Sequence, residues 1–134
     1  MRWNPLMPRT AALALVATFL LGGWSAAQAQ GSAPQAYLIE IDGPLTQASA
    51  EYLDRGLKLA ASGAEGTIVV LQIDTPGGSI DVMNRMVQAI RGSPVPVVVY
   101  VAPRGAIAGS AGTILVLAGH AAAMAPETAL GAAS

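Results

Sequence analysis

The chain has 134 residues, no cysteine, one histidine (His120), one lysine (Lys58) and a net charge of −1. That length suits one small domain. The composition excludes disulfides, thiolate metal sites, cysteine nucleophiles and multi-histidine metal centres within these residues, and it offers no basic cluster for nucleic acid.

Residues 1–29 read as a secretory signal. Arg2 and Arg9 precede an apolar run from Ala11 to Gly23, and Ala27 and Ala29 form an A-x-A cleavage site. The run is shorter than the roughly 20 residues that span a bilayer; an uncleaved N-terminal anchor is the alternative. The mature chain then begins near Gln30, keeps five basic and eight acidic residues, and belongs outside the cytoplasm. Residues 30–35 read as a short linker.

"AYLIEID" alternates, with Tyr37, Ile39 and Ile41 on one face and Leu38, Glu40 and Asp42 on the other, which predicts a strand. Thr46 is a candidate N-cap for a helix through about Ala61. Tyr52, Leu53, Gly56, Leu57 and Ala60 form its apolar stripe, with Lys58 off it. "TIVVLQID" is a continuous β-branched run, predicting a strand buried on both faces of a parallel sheet. "TPGGS" turns the chain. Ser79 to Ile90 reads as a helix with Ile80, Met83, Val87 and Ile90 inward. "VPVVVYV" is another buried strand, "APRGAIAG" a loop, Ser110 to Ala118 a third helix, and "AAAMA" a fourth strand. The window from Ala106 to Ala125 is apolar enough to suggest a membrane helix. Gly109, Ser110, Gly112, Gly119 and His120 interrupt it, so a buried helix followed by a strand is the preferred reading. Alternating strands and helices at this spacing predict an α/β fold with a mainly parallel sheet.

Two turns attract chemistry. In "QIDTPGGSID" a strand runs into Gly77 and Gly78, whose backbone can approach a ligand and aim N–H groups at an oxyanion. An ordinary strand–helix turn is the alternative, since the dinucleotide and P-loop signatures are absent. Ser110 opens a predicted helix, so the N–H groups of Ala111 and Gly112 share space with its hydroxyl. That is the logic of a nucleophile elbow; an N-cap serine among small packing residues is the alternative.

Taken together, "LQIDTPGG" and "PVPVVVYVAPRGAIAGSAGTILVLAGHAAAMAPETALGAA" resemble the ClpP-class serine proteases of the NfeD type, relatives of ClpP and signal peptide peptidase A. The resemblance runs from about Tyr37 to the last residue. It implies the ClpP/crotonase-type superhelical fold and Ser110 as nucleophile. It also implies an oxyanion hole from the N–H groups of Gly78 (or Gly77) and Ala111, and a lysine base in a Ser-Lys dyad. A lysine serves as base when burial lowers its pKa. Substrates would be hydrophobic polypeptides, including stomatin-like membrane proteins. No cofactor and no metal are implied, and the full-length form would be a membrane-associated homo-oligomer, exported to the periplasm or beyond.

The family's lysine lies a few dozen residues past the serine, beyond Ser134. Lys58, on the first helix, is read as solvated. His120 with Asp74 would offer a Ser-His-Asp alternative, but the resemblance makes His120 structural, and Asp74 is read as fixing the Pro-Gly-Gly turn. The expectation is therefore a partial protease domain over 36–134, apparently truncated at its C-terminus, with one layer of its sheet uncovered. A serine endopeptidase lacking its base is the leading reading. A non-catalytic binding or scaffold module of the same fold is the second. A crotonase-type acyl-CoA enzyme is the third, disfavoured by the signal segment.

Overall fold

A computed structural model describes residues 33–133. The expected signal segment, 1–29, lies outside the described residues. Four strands form one parallel sheet in the order β1-β2-β3-β5: β1 Ala36–Asp42, β2 Ile68–Asp74, β3 Val97–Val101 and β5 Ala121–Met124. Three helices connect them: α1 Gln47–Ala61, α2 Ile80–Arg91 and α3 Ala111–Ala118. The α/β class and the parallel sheet are as the alternation predicts.

The helices start where the caps place them. Thr46 accepts the N–H of Ser49, and Ser49 Oγ accepts the N–H of Thr46, a reciprocal capping box. Ser79 accepts the N–H of Val82 at 3.3 Å and so caps α2. Asp81 in the first turn and Arg91 in the last complement the dipole of α2.

One face of the sheet holds the core. Ile39, Ile41, Val69, Leu71, Ile73, Val97, Val99 and Val101 are buried there, against Leu53 and Leu57 of α1, Met86 and Ile90 of α2, and Leu115 of α3. The strands alternate in burial: Ile68, Val70, Val98 and Tyr100 are half-buried on the opposite face, and Leu38 there is exposed. This corrects the expectation of strands buried on both faces. The buried stripes of all three helices share one cluster with a single face of the sheet, and the other face has no helix against it among the described residues.

Two stripes also sit differently from the periodicity reading. In α1, Ala50 takes the inward place assigned to Tyr52, which is 43% exposed. In α2, Val82 and Met86 point inward, Met83 and Val87 flank them, and Ile80 is 71% exposed. The first turn of α2 follows the Gly77-Gly78 turn, and that geometry rotates Ile80 off the core.

Two short strands are additions to the sequence reading, one in the segment read as a loop and one past Pro126 in a segment given no element. β4, Ile107–Gly109, pairs in parallel with β6, Ala129–Gly131. Isolated bridges join Leu45 to Gly78 and Thr75 to Ala108. Each main strand is thus followed by a brief crossing into a second layer. In the first three units a helix comes next: β1, Leu45, α1; then β2, Thr75 to Gly78, α2; then β3, β4, α3. β5 and β6 repeat the first two parts. The Ala106–Ala125 window resolves into β4, α3 and β5, and no described helix is long and apolar enough to cross a membrane.

Candidate active site

The second layer brings the two glycine-rich turns together at the carboxyl ends of β2 and β3. Thr75, fully buried, organises the first turn. Its Oγ1 accepts the N–H of Gly77 at 3.1 Å and faces Gly77 O at 3.4 Å. Its backbone spans to the second turn: Thr75 N donates to Ile107 O at 2.7 Å, and Gly109 N donates to Thr75 O at 2.8 Å. Asp74 reinforces the junction by accepting the N–H of Ile107 at 2.9 Å. Asp74 is therefore a structural ligand of β4, next to the turn it was expected to fix.

Both glycines are required by what surrounds them. Gly77 has φ +112°, and a Cβ there would lie 3.0 Å from Gly109 O and from Ser110 Cβ. A Cβ on Gly78 would lie 2.4 Å from Leu45 O. A side chain on Gly77 would press against the Ser110 turn, and one on Gly78 would press against Leu45.

Ser110 stands at the start of α3 with φ 49° and ψ −114°, and its side chain makes no capping hydrogen bond. An N-cap serine has extended backbone and spends its hydroxyl on the helix; Ser110 does neither. A non-glycine residue in this region costs about 1–3 kcal/mol and persists only where its surroundings over-determine it. Here Ser110 N donates to Gly131 O at 2.7 Å, and Thr113 N donates to Ser110 O at 2.9 Å. The residue is exposed, so its hydroxyl is open to solvent and to a substrate.

Ser110, Gly78 and Ala111 line one cleft of about 280 Å3. The N–H groups of Gly78 and Ala111 donate to no other described residue. The N–H of Gly77 is already taken by Thr75, which leaves Gly78 as the free donor of its turn. The rest of the lining is apolar: Ile80, Met83, Ile114 and Ala133. Periodicity had assigned Ile80 and Met83 to the core, so the wall of the cleft was missed. Nothing in the spacing of Ile80 and Met83 distinguishes a cleft wall from a core face.

The remaining candidates lie elsewhere. His120 sits at the amino end of β5, where its Nδ1 accepts the N–H of Val97 at 3.1 Å and its own N–H donates to Val97 O at 2.9 Å. It stitches β3 to β5 at the sheet end opposite Ser110. Lys58 is exposed near the end of α1, beside Asp54, Leu57, Gly92 and Pro94, also at the amino ends of the strands. No titratable side chain lines the Ser110 cleft among the described residues, and no metal-ligating cluster occurs among them. On the surface, the guanidinium of Arg104 makes a two-pronged pair with the carboxylate of Glu127, Nε to Oε2 at 2.8 Å. Arg104 holds the Glu127 carboxyl below its ordinary pKa.

With this geometry in view, comparison with known proteins is decisive. Residues 35–134 match the model of the NfeD1b N-terminal domain. The chain belongs to that family. This NfeD1b domain is 41% identical over 96 residues to the membrane-bound protease PH1510 of Pyrococcus horikoshii, covering 72% of this chain and 22% of the relative. The solved 1510-N membrane protease from the same organism, described as specific for a stomatin homologue, is 38% identical with a TM-score of 0.69. That match covers 75% of this chain and 50% of the other. An alanine mutant of it in complex with a substrate peptide gives a TM-score of 0.70 at 38% identity, over 75% and 45% of the two chains. Mutants of that relative replace a lysine and a serine. ClpP1 of Listeria monocytogenes, 23% identical, shares the fold with a TM-score of 0.55 over 61% of this chain and 46% of the other. The fold is therefore the ClpP-like α/β fold. The NfeD1b chain spans about a fifth of the curated relative and half or less of the solved ones.

Proposed function

We propose that this chain carries the nucleophile and oxyanion hole of a serine endopeptidase that cleaves hydrophobic polypeptide segments. One observation carries the reading: the hydroxyl of Ser110, in a strained backbone conformation and spent on no cap, opens on an apolar cleft beside two free N–H donors. Ser110 Oγ attacks the scissile carbonyl carbon. The proton of Oγ passes to a base, and the carbonyl oxygen becomes an oxyanion. The N–H groups of Gly78 and Ala111 would receive that charge, helped by the amino end of α3. Ile80, Met83 and Ile114 would accept an apolar substrate side chain.

The base in this reading is a lysine of the family's domain beyond the matched region, completing a Ser-Lys dyad. Relatives in which a serine and a lysine were each replaced support that choice. By the same analogy the substrates include stomatin-like membrane proteins and the whole protein is membrane-associated; export and a homo-oligomeric state belong to the same reading as proposals from the family resemblance. The three-part pattern of residues 1–29 supports export.

A second reading, a non-catalytic binding module, is favoured by the absence of a titratable neighbour of Ser110 among the described residues. Cleavage of a hydrophobic stomatin-derived peptide by the intact gene product separates the two. The protease reading expects cleavage that Ser110→Ala abolishes. Cleavage that survives Ser110→Ala, or peptide binding without cleavage, overturns it.

A further inference from the structure

Ser110 has no glycine's freedom, so its left-handed backbone must be held from both sides. On one side its N–H reaches Gly131 O at 2.7 Å; on the other its O accepts the N–H of Thr113 at 2.9 Å. Thr113 is buried, 7% exposed, in an otherwise apolar helix. Its Oγ1 accepts the N–H of Gly131 at 2.8 Å and lies 2.8 Å from Gly131 O and 2.7 Å from Ala108 O. A hydroxyl has one proton and two lone pairs. It therefore accepts from Gly131 and gives its proton to one of the two carbonyls. Thr113 thus grips Ser110 directly through its backbone. Through its side chain it grips the strand, β6, whose carbonyl holds the other side of Ser110.

We propose that Thr113 is a positioning residue for the nucleophile: its hydroxyl latches β6 onto α3 through the N–H of Gly131, and the latched Gly131 carbonyl keeps Ser110 in its exposed, uncapped conformation. The proposal rests on the reading of Ser110 as nucleophile. Valine at 113 would keep the volume and the helix but leave the N–H of Gly131 without its acceptor. With β6 free to shift, Ser110 would relax to extended backbone, and its hydroxyl would take the N–H of residue 113 as an ordinary cap. The fold would survive; the nucleophile would not be presented.

The test is the rate of fluorophosphonate capture at Ser110 in the intact gene product. For Thr113→Val the limiting capture rate is expected to fall by about tenfold or more, with the half-saturating probe concentration unchanged. Thr113→Ser, which keeps the hydroxyl, is expected to restore the rate to within about threefold of wild type. A folded Thr113→Val protein captured at the wild-type rate overturns the proposal, as does a Thr113→Ser protein as slow as the valine variant. Hydrogen exchange on the unmutated protein covers the case in which Thr113→Val does not fold. The latch predicts that the amides of Ser110 and Gly131 are protected together and that of Ala132 is not. Gly131 exchanging at the rate of open peptide overturns it. A wild-type protein that is never captured at Ser110 refutes the protease reading instead, and the exchange result then still decides the latch.

Discussion

Gly77 packs so closely on Ser110 that a Cβ on Gly77 would sit 3.0 Å from the Cβ of Ser110 and 3.2 Å from the N of Ala111. The turn before α2 and the turn before α3 are therefore two walls of one site, held at the distance that only hydrogen on Gly77 permits. The contact makes Gly77→Ala a sensitive probe. The variant suffers both a disfavoured φ of +112° and steric displacement of Ser110. It should lose about 2 kcal/mol or more of stability, read by urea denaturation. It should also lose reactivity at Ser110, read by fluorophosphonate capture.

The strain at Ser110 predicts a trade of stability against function. S110A and S110G both remove the hydroxyl, but only glycine accepts φ 49°, ψ −114° without cost. S110G should be more stable than S110A by about 1 kcal/mol, after allowing for the greater freedom of glycine in the unfolded chain. Thermal midpoints of the two variants check this. Equal midpoints would mean that the conformation of Ser110 is not strained in solution.

The two alternative bases should be inert in catalysis. Lys58→Ala and His120→Ala are both expected to leave Ser110 capture and peptide cleavage unchanged, because each residue lies at the amino ends of the strands. They should differ in stability. Lys58→Ala should be near neutral. His120→Ala, which strips the acceptor from Val97 N, should cost about 1 kcal/mol.

The Arg104–Glu127 pair gives a pH signature. Arg104 holds the folded-state pKa of Glu127 below its ordinary value. A depressed folded pKa means that the contribution is present above the unfolded-state pKa and fades as pH falls through the folded one. Both groups are exposed, so the effect is small and screened by salt. The difference in thermal midpoint between wild type and Glu127→Gln should shrink on acidification below the carboxylate range and on addition of salt. A difference independent of pH would assign the pair no electrostatic role.

Much of this architecture was legible in residues whose physics is local. Period-two burial marked β1, β-branched runs marked β2 and β3, and Thr46 and Ser79 marked the helix starts. Ser110, Gly77, Gly78 and Ala111 stood out as candidates because small residues cluster where strands end and because those turns resemble the ClpP class; the fold brings all four together. What escaped was non-local. β4 and β6 are three residues each, too short for periodicity, and they exist only because they pair with each other. The repeat of strand, crossing and helix left no repeated residues. Thr75 and Thr113 carry no signal in the sequence, because their roles depend on backbone groups such as those of Ala108 and Gly131 that the fold alone brings to them. Tyr52 and Ile80 were misassigned because the angle at which a helix meets the sheet is set by its entry turn.

Mass-spectrometric mapping of a fluorophosphonate adduct on the intact gene product tests directly whether Ser110 is an activated nucleophile. An activated Ser110 gives one adduct, on Ser110, absent from Ser110→Ala and reduced in Gly77→Ala. No adduct on Ser110 under conditions that label a control serine hydrolase would contradict it, as would an adduct on another residue that persists in Ser110→Ala.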